Sequence, residues 1–169
     1  EALNSHLKPS PIAIIIGKSE SNDFHARFSA LARHYEYKII NRRQPLTLDK
    51  NLYWRVGKPL NVNLMIKASK YLIGTHDFTS YRSVNCQSKS PCKTLDKIDI
   101  SELGDKISFK FSAKSFLHNQ VRSIVGSLKL VGEGKWDPII IKDVLEAKDR
   151  KRCGPIAPAK GLYLMTVDY

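Results

Sequence analysis

Residues 31–40 of the chain read Leu-Ala-Arg-His-Tyr-Glu-Tyr-Lys-Ile-Ile, and this stretch alternates in the manner of a β-strand. Alternate residues of a strand share one face. The period of two therefore places on one face Leu31, Arg33, Tyr35, Tyr37 and Ile39. Most strand tyrosines are core residues with a wetted hydroxyl. A face that serves packing alone seldom needs an arginine, however, so this one is either a core face or a binding face.

Two further stretches alternate in the same way. In residues 106–113, Ile and Phe side chains lie on one face and Lys and Ser side chains on the other, as in a sheet with one covered face. Residues 162–168 predict a closing strand. A short apolar run, residues 12–16, predicts a short buried strand.

Helical spacing appears three times between these strands. Apolar residues recur at helical intervals over residues 62–73, with Gly74 as a stop, and again over residues 117–131. Asp137 and Pro138 suit the start of a shorter helix over residues 139–147. Mixed in this order, the elements predict an α+β fold with helices packed on one face of a largely antiparallel, mixed sheet.

The composition is that of a globular protein with an excess of positive charge. The chain has 169 residues, 42% of them hydrophobic, and a formal net charge of +12. Such a field attracts a polyanion, which means RNA, DNA or, less often, an anionic membrane. No apolar run approaches the roughly 18 residues that span a bilayer, so we expect no membrane segment. Three cysteines without framework spacing predict free thiols and a reducing, cytoplasmic setting.

The cations of two segments are candidate ligands for that polyanion. On the predicted helix 117–131, three residues fall on one edge of the apolar stripe, namely His118, Arg122 and Lys129. They form either a solvated border or a site for phosphate or carboxylate. Residues 78–93 form a polar segment too long for a simple connection. It carries Arg82, Lys89 and Lys93, which are either solvated or bind RNA.

Other site patterns are weak. The cysteines and histidines lack ligand spacing, so we expect no metal, and we find no phosphate-cradling Gly loop and no Gly-x-Ser-x-Gly turn. Residues 154–161 contain two Gly and two Pro. They form either an ordinary surface loop or one whose backbone approaches a ligand closely.

Four blocks of the sequence resemble one family when they are taken together. They are Phe-His-Ala-Arg-Phe-Ser-Ala at 24–30 with Tyr-x-Tyr at 35–37, His-Asp-Phe-Thr-Ser at 76–80 with Cys-Gln-Ser-x-Ser-Pro at 86–91, Phe-Leu-His-x-x-Val-Arg-x-Ile-Val-Gly-Ser-Leu at 116–128, and Ala-Pro-Ala-x-Gly-Leu-Tyr-Leu at 157–164. In order and spacing, over essentially the whole chain, these blocks resemble the tRNA pseudouridine synthase A (TruA) family.

The resemblance implies an enzyme that isomerises uridine to pseudouridine in the anticodon stem-loop of tRNA, at positions 38–40. It implies the pseudouridine synthase fold with a ferredoxin-like half, no cofactor, and a homodimer. Tyr35 matches the tyrosine that packs on the target base, and Phe116 and Leu162 match apolar positions around the pocket. Arg122 matches the basic residue that supports a nucleophilic aspartate. Arg33 and the cations named above would bind RNA.

One part of the family pattern has no match. In the family, the nucleophile lies in a Gly-Arg-Thr-Asp-Ala-Gly-Val-His segment of an N-terminal domain, which this sequence does not contain. We therefore expect residues 1–23 to be the end of that domain and a linker, and residues 24–169 to be the C-terminal synthase domain, inactive alone. The alternative is a catalytically silent module that binds tRNA or other RNA.

Overall fold

The computed structural model describes residues 2–169. Its helices are α1 (Ala2–His6), α2 (Val62–Ser69), α3 (Gln120–Gly132) and α4 (Ile140–Ala147). Its strands are β1 (Ala32–Asn41), β2 (Trp54–Val56), β3 (Gly74–Asp77), β4 (Cys92–Leu95), β5 (Lys97–Leu103), β6 (Lys106–Ala113) and β7 (Leu162–Asp168). None of the helices in this part of the chain is long and apolar enough to cross a membrane.

Strand β1 is the centre of a five-stranded sheet. One edge of β1 pairs antiparallel with β6, which in turn pairs with β5. The other edge is shared by β7, antiparallel, and by the short parallel strand β2. Strands β3 and β4 form a separate two-stranded ladder. The predicted strands at 31–40, 106–113 and 162–168 are confirmed within a residue.

The helices cover one face of the main sheet, as predicted. Tyr37, Ile39, Phe109 and Phe111 are fully buried beneath α2 and α3. The opposite face carries polar side chains, among which Ser108 donates a hydrogen bond of 2.6 Å to Glu36. The α+β prediction is therefore confirmed, and the buried face of β1 is the face that carries Tyr35.

Helix α3 starts later than predicted. Asn119 adopts a left-handed conformation, with φ of 62°, so regular helix begins only at Gln120. Gln120 turns back and accepts a hydrogen bond of 2.8 Å from the backbone N–H of Leu117. The prediction that His118 lies on this helix is therefore wrong, because the chain turns sharply between His118 and the first helical residue.

The predicted buried strand at residues 12–16 is also wrong. This segment has no regular secondary structure, and Ile15 is 86% exposed. Its backbone bonds locally, since Ile14 exchanges two hydrogen bonds, of 2.7 and 2.9 Å, with the side chain of Asn4. The apolar run is suited to burial, but no strand of residues 2–169 pairs with it.

The start of the segment 78–93 belongs to the core and is not a polar loop. Phe78, Ser80 and Tyr81 are fully buried around a 3-10 turn at Thr79–Tyr81. The Ser80 and Tyr81 hydroxyls donate hydrogen bonds of 2.5 and 3.2 Å to backbone carbonyls of α4. The His-Asp-Phe-Thr-Ser block thus fixes the base from which the rest of the loop extends.

Candidate functional site

A cavity of about 580 Å³ opens beside Tyr35 on the helix-covered side of the sheet. Tyr35 and Phe116 form one wall, with ring centroids 5.1 Å apart and planes at 88°. Leu162, the first residue of β7, and Arg122, on the first turn of α3, also line the cavity. The structure therefore brings together the three residues expected around the uridine and the arginine expected to support the nucleophile.

The position of Tyr35 is set by three strands. Tyr35 pairs with Phe111 of β6 on one side and with Leu164 of β7 on the other. The β7 register shifts at this point, because Met165 is an extra residue between the partners of His34 and Tyr35. Such bulges bend a strand locally and are frequent beside functional sites. The Tyr35 hydroxyl makes no hydrogen bond to residues 2–169, and the Tyr35 side chain lines the cavity.

Arg122 is held by neutral acceptors. Its Nε donates a hydrogen bond of 2.6 Å to the carbonyl of Ala157, and its Nη1 donates one of 3.0 Å to Oδ1 of Asn119. Within residues 2–169, no carboxylate oxygen lies within 4.0 Å of the guanidinium. The guanidinium is thus fixed in direction and half-buried while its charge has no ionic partner. Such a cation is suited to an anion brought into the cavity.

The left-handed turn at Asn119 explains how this arrangement is built. Asn tolerates this backbone region better than most residues. At φ of 62°, the backbone of Asn119 reverses the chain, and its side-chain oxygen faces the guanidinium one turn along α3. One residue therefore shapes the turn that contains His118 and also orients Arg122.

The loop from 85 to 88 closes another side of the cavity. The Sγ of Cys86 accepts a hydrogen bond of 3.4 Å from the backbone N–H of His118, whose carbonyl accepts one of 3.0 Å from Ser83. Burial raises the pKa of the Cys86 thiol, but the N–H groups of His118 and Ser88 and the nearby charges outweigh it, so the pKa lies below its usual value. Cys86, Cys92 and Cys153 are all free thiols.

The loop 154–161 approaches the protein's own backbone closely. A Cβ on Gly161 would come within 2.8 Å of the Tyr37 ring, and one on Gly126 would lie 1.7 Å from the carbonyl oxygen of Pro155. Tyr37, whose pKa is raised by burial, donates a hydrogen bond of 2.7 Å to the carbonyl of Pro158. This packing holds the Ala157 carbonyl against Arg122.

The predicted RNA-binding cations do not lie in one place. Arg33 and Lys93 line an adjoining cavity of about 390 Å³, which shares Tyr35 and Phe116 with the first. Arg33 donates hydrogen bonds to the carbonyls of Arg27 and Lys114. His118 lines the main cavity, whereas Arg82 and Lys89 line neither cavity.

Lys129 lies on the last turn of α3, at the opposite end from Arg122, and it lines a cavity separate from the one at Tyr35. The helical spacing that grouped it with Arg122 gave the face of the helix but not the distance along its axis.

Sequence analysis missed two residues of the site. Asn119 was quoted only as an unspecified position between His118 and Arg122. Arg27 lines both cavities and was quoted only as part of a block. The position of Arg27 between the rings of Phe24 and Phe28 is the sequence feature that could have identified it as a site residue. Asn119 could have been identified only by predicting a left-handed turn before the helix.

Comparison with known proteins gives the family of the chain. A family model described as tRNA pseudouridine synthase matches residues 68–169. The tRNA pseudouridine synthase A of Parvibaculum lavamentivorans is 52% identical over 169 residues, covering 100% of this chain and 69% of the relative. That of Maricaulis maris is 54% identical over 169 residues, covering 100% of this chain and 68% of the relative.

A third relative gives the same result. The tRNA pseudouridine synthase A of Rhizobium meliloti is 52% identical over 170 residues, covering 99% of this chain and 69% of the relative. The chain thus spans about two thirds of the length of these relatives, in one continuous match that includes the cavity at Tyr35. This chain belongs to the tRNA pseudouridine synthase A family.

Proposed function

We propose that this chain is the tRNA-binding C-terminal part of a synthase that converts uridine to pseudouridine in the anticodon stem-loop, at positions 38–40. The observation that carries the proposal is the cavity at Tyr35, which combines an aromatic wall with a fixed cation of unbalanced charge. An enzyme that acts on a base in folded RNA must take that base out of its stack. An aromatic wall compensates for the stacking that the base loses.

The resemblance defines the reaction in which these residues would act. An aspartate carboxylate attacks C1′ of the uridine and forms an ester with it, the bond between C1′ and N1 breaks, and the detached base turns. C5 then attacks C1′, the ester bond breaks and releases the aspartate carboxylate, C5 loses its proton, and N1 gains one. Tyr35 would pack on the base throughout, with Phe116 and Leu162 around it. The Tyr35 hydroxyl would assist the loss of the C5 proton.

Arg122 would hold the aspartate ionised and correctly oriented. A neighbouring guanidinium stabilises the charged form of a carboxyl group, and a site works best when its charged groups are fixed by their supports. Neither Asp nor Glu is among the residues that line the cavity at Tyr35. We therefore propose that the nucleophile is not one of these 169 residues and that the chain alone does not turn over.

The setting of the reaction also follows from the resemblance. We propose that the intact enzyme is a cytoplasmic homodimer. Two observations support a further protein surface. Leu164 and Met165 of β7 are each more than half exposed, and within residues 2–169 β7 pairs with β1 along one edge only. Exposed apolar residues on such an edge strand favour pairing with another chain.

Release of tritium from tRNA labelled at C5 of uridine tests the proposal. The 169-residue chain alone should release none. The chain fused to the N-terminal third of the Parvibaculum lavamentivorans relative should release tritium, and Tyr35→Ala in that fusion should abolish release. Turnover by the chain alone would contradict the absence of the nucleophile.

A catalytically silent RNA-binding module is the second candidate, and the cavity without a carboxylate favours it. This candidate predicts salt-sensitive binding of tRNA by the chain, as the first does. The two differ in the fused protein, which stays inactive if the site serves binding alone. A Tyr35→Phe fusion is a matched control, because it keeps the aromatic wall and removes only the hydroxyl.

A further inference from the structure

A second basic cavity lies at the far end of α3. It has a volume of about 540 Å³ and opens between β2, the loop after β2, and the last turn of the helix. Its charged lining residues are Arg43, Arg55, Lys58, Lys129, Lys135 and Glu133. Five cations and one carboxylate therefore share this cavity, which we call the β2 cleft.

Two of these cations share one carboxylate within the protein. Glu133 lies 2.7 Å from Nζ of Lys129 and 3.1 Å from Nζ of Lys135, and its side chain is only 4% exposed. Burial would raise the pKa of Glu133, but the two ammonium groups outweigh burial and hold the pKa below its usual value. These three residues, which we call the Glu133 group, form a small ionic cluster with a net charge of +1 in the inner wall of the cleft.

The other three cations are not neutralised. Arg43, Arg55 and Lys58 are exposed, and no carboxylate of residues 2–169 lies within 4.0 Å of any of them. Nη1 of Arg55 donates a hydrogen bond of 2.7 Å to the carbonyl of Arg43, which ties the two sides of the mouth together. Uncompensated cations that converge on one concavity attract anions. Guanidinium groups match phosphate oxygens especially well.

The β2 cleft lies on the same side of the sheet as the cavity at Tyr35. Trp54 lines the cleft and pairs with Ile39 of β1, so both side chains lie on the Tyr37 face. Trp54 meets Tyr37 edge to face at 6.2 Å. From Tyr35 to Ile39 the strand advances by roughly 13 Å, at about 3.3 Å per residue. A few nucleotides of one RNA strand can cover that distance.

We infer that the β2 cleft binds backbone phosphates of the same RNA whose target uridine enters the cavity at Tyr35. The inference rests on the proposed function, since it takes the ligand to be tRNA. Arg43 and Lys58 would contact phosphates directly, and the Glu133 group would hold the wall against which the strand lies. Such contacts carry no sequence information but fix the register of the RNA on the protein.

Binding of an unmodified tRNA transcript tests the inference. The 169-residue chain and its double variant Arg43→Ala, Lys58→Ala are titrated with the transcript over about 50–200 mM salt. Each lost phosphate contact should lower the slope of log affinity against log salt by about 1, so the double variant should lose about 2. The control variant Lys67→Ala, Lys70→Ala removes the same charge from exposed positions outside the cleft and should keep the slope.

Each outcome decides a different point. If the slope falls equally in both double variants, the inference about the β2 cleft is wrong, but the proposal that the chain binds tRNA is unaffected. Absence of tRNA binding by the unaltered chain would overturn both the cleft and the proposed function. Polyglutamate that binds as tightly as tRNA, with the same loss in the cleft variant, would assign the cleft to an acidic protein instead. The variant Arg43→Lys, Lys58→Arg keeps the charge and should retain most of the slope.

Discussion

The cations at the two ends of α3 differ in their partners: one is bound by neutral oxygens and the other by a carboxylate. At the first turn, Arg122 is held by a carbonyl and an amide oxygen and has no carboxylate within 4.0 Å in residues 2–169. At the last turn, Lys129 is joined to a buried carboxylate one turn further on. The prediction from sequence grouped the two residues, since they share one edge of the helix, although only Lys129 has an acidic residue at i+4.

This difference distinguishes a cation that stabilises the fold from a cation that is available to bind a ligand. A cation whose charge is matched within the fold contributes to packing, and an added anion gains little from it. A cation fixed by neutral oxygens is held in place while its charge remains available. Arg122 meets both parts of this criterion. Arg43 and Lys58 meet the condition on charge, since no carboxylate of residues 2–169 lies within 4.0 Å of them, and Lys129 supports the wall of the β2 cleft.

The largest effect is expected from Gly126→Val, which tests whether the first half of α3 is set by the loop 154–161. The new Cβ would lie 1.7 Å from the carbonyl oxygen of Pro155, so helix and loop must separate. We expect a loss of about 3 kcal/mol in the free energy of unfolding. The thermal midpoint should fall by roughly 6–12 °C.

Gly17→Val is the matched control, because nothing lies within 4 Å of its added Cβ. It should leave the midpoint nearly unchanged. Equal midpoints for the two variants would show that the loop does not constrain the helix.

Arg122→Lys tests whether the positive charge at the first turn of α3 is sufficient without the hydrogen bonds that orient the guanidinium. A lysine keeps the positive charge, but one ammonium group cannot replace the Nε and Nη1 bonds and still face an incoming carboxylate. In the fused protein described above, we expect the rate of tritium release to fall about 100-fold. The affinity for tRNA should change little. A rate within threefold of the unaltered fusion would show that charge alone suffices.

Substitutions of Asn119 should have a smaller effect, with one part from the lost hydrogen bond to Arg122 and another from backbone strain. Asn119→Gly keeps the left-handed turn and removes the acceptor from Arg122, so tritium release should fall about 10-fold, the value of one hydrogen bond. Asn119→Ala also forces an ordinary side chain into φ of 62° and adds about 1 kcal/mol of strain. A lower thermal midpoint for the alanine variant, with similar activity in both, would support the division. Full activity of the glycine variant would remove Asn119 from the site.

Glu133→Gln tests the other end of the helix. Loss of the carboxylate should cost about 1 kcal/mol at neutral pH, because two ammonium groups lose their partner. The pKa of Glu133 is lowered on folding, so its stabilisation is present above the unfolded pKa and disappears as pH falls through the folded pKa. Thermal midpoints of the two proteins should differ at pH 7 and converge in acid. A difference that persists in acid would contradict the ionic role.

Much of the fold could be predicted from sequence, because alternation and helical spacing report which side of an element is buried. Strands β1, β6 and β7 and helix α4 were predicted within a residue. Spacing failed where a single backbone angle decides the path, as at Asn119. It failed again at residues 12–16, because an apolar run shows a tendency toward burial but does not show whether a partner strand is present.

The site could be predicted only in part, and for a related reason. Tyr35, Phe116, Leu162 and Arg122 were identified from sequence blocks, and the structure brings them to one cavity. The supports of Arg122 could not be identified in the same way. A backbone carbonyl such as that of Ala157 has no signature in the sequence, whereas the ion pair of Lys129 with Glu133 has the i,i+4 spacing from which it could have been predicted.

The exposed run Ile12–Ile16 has a consequence for how the protein behaves in solution. The segment is rich in β-branched residues, carries no charge and leaves much of its backbone unpaired. Segments of this kind seed intermolecular sheets. The isolated chain should therefore self-associate as its concentration rises, and inside a cell it would attract chaperones and proteases until another surface covers this run.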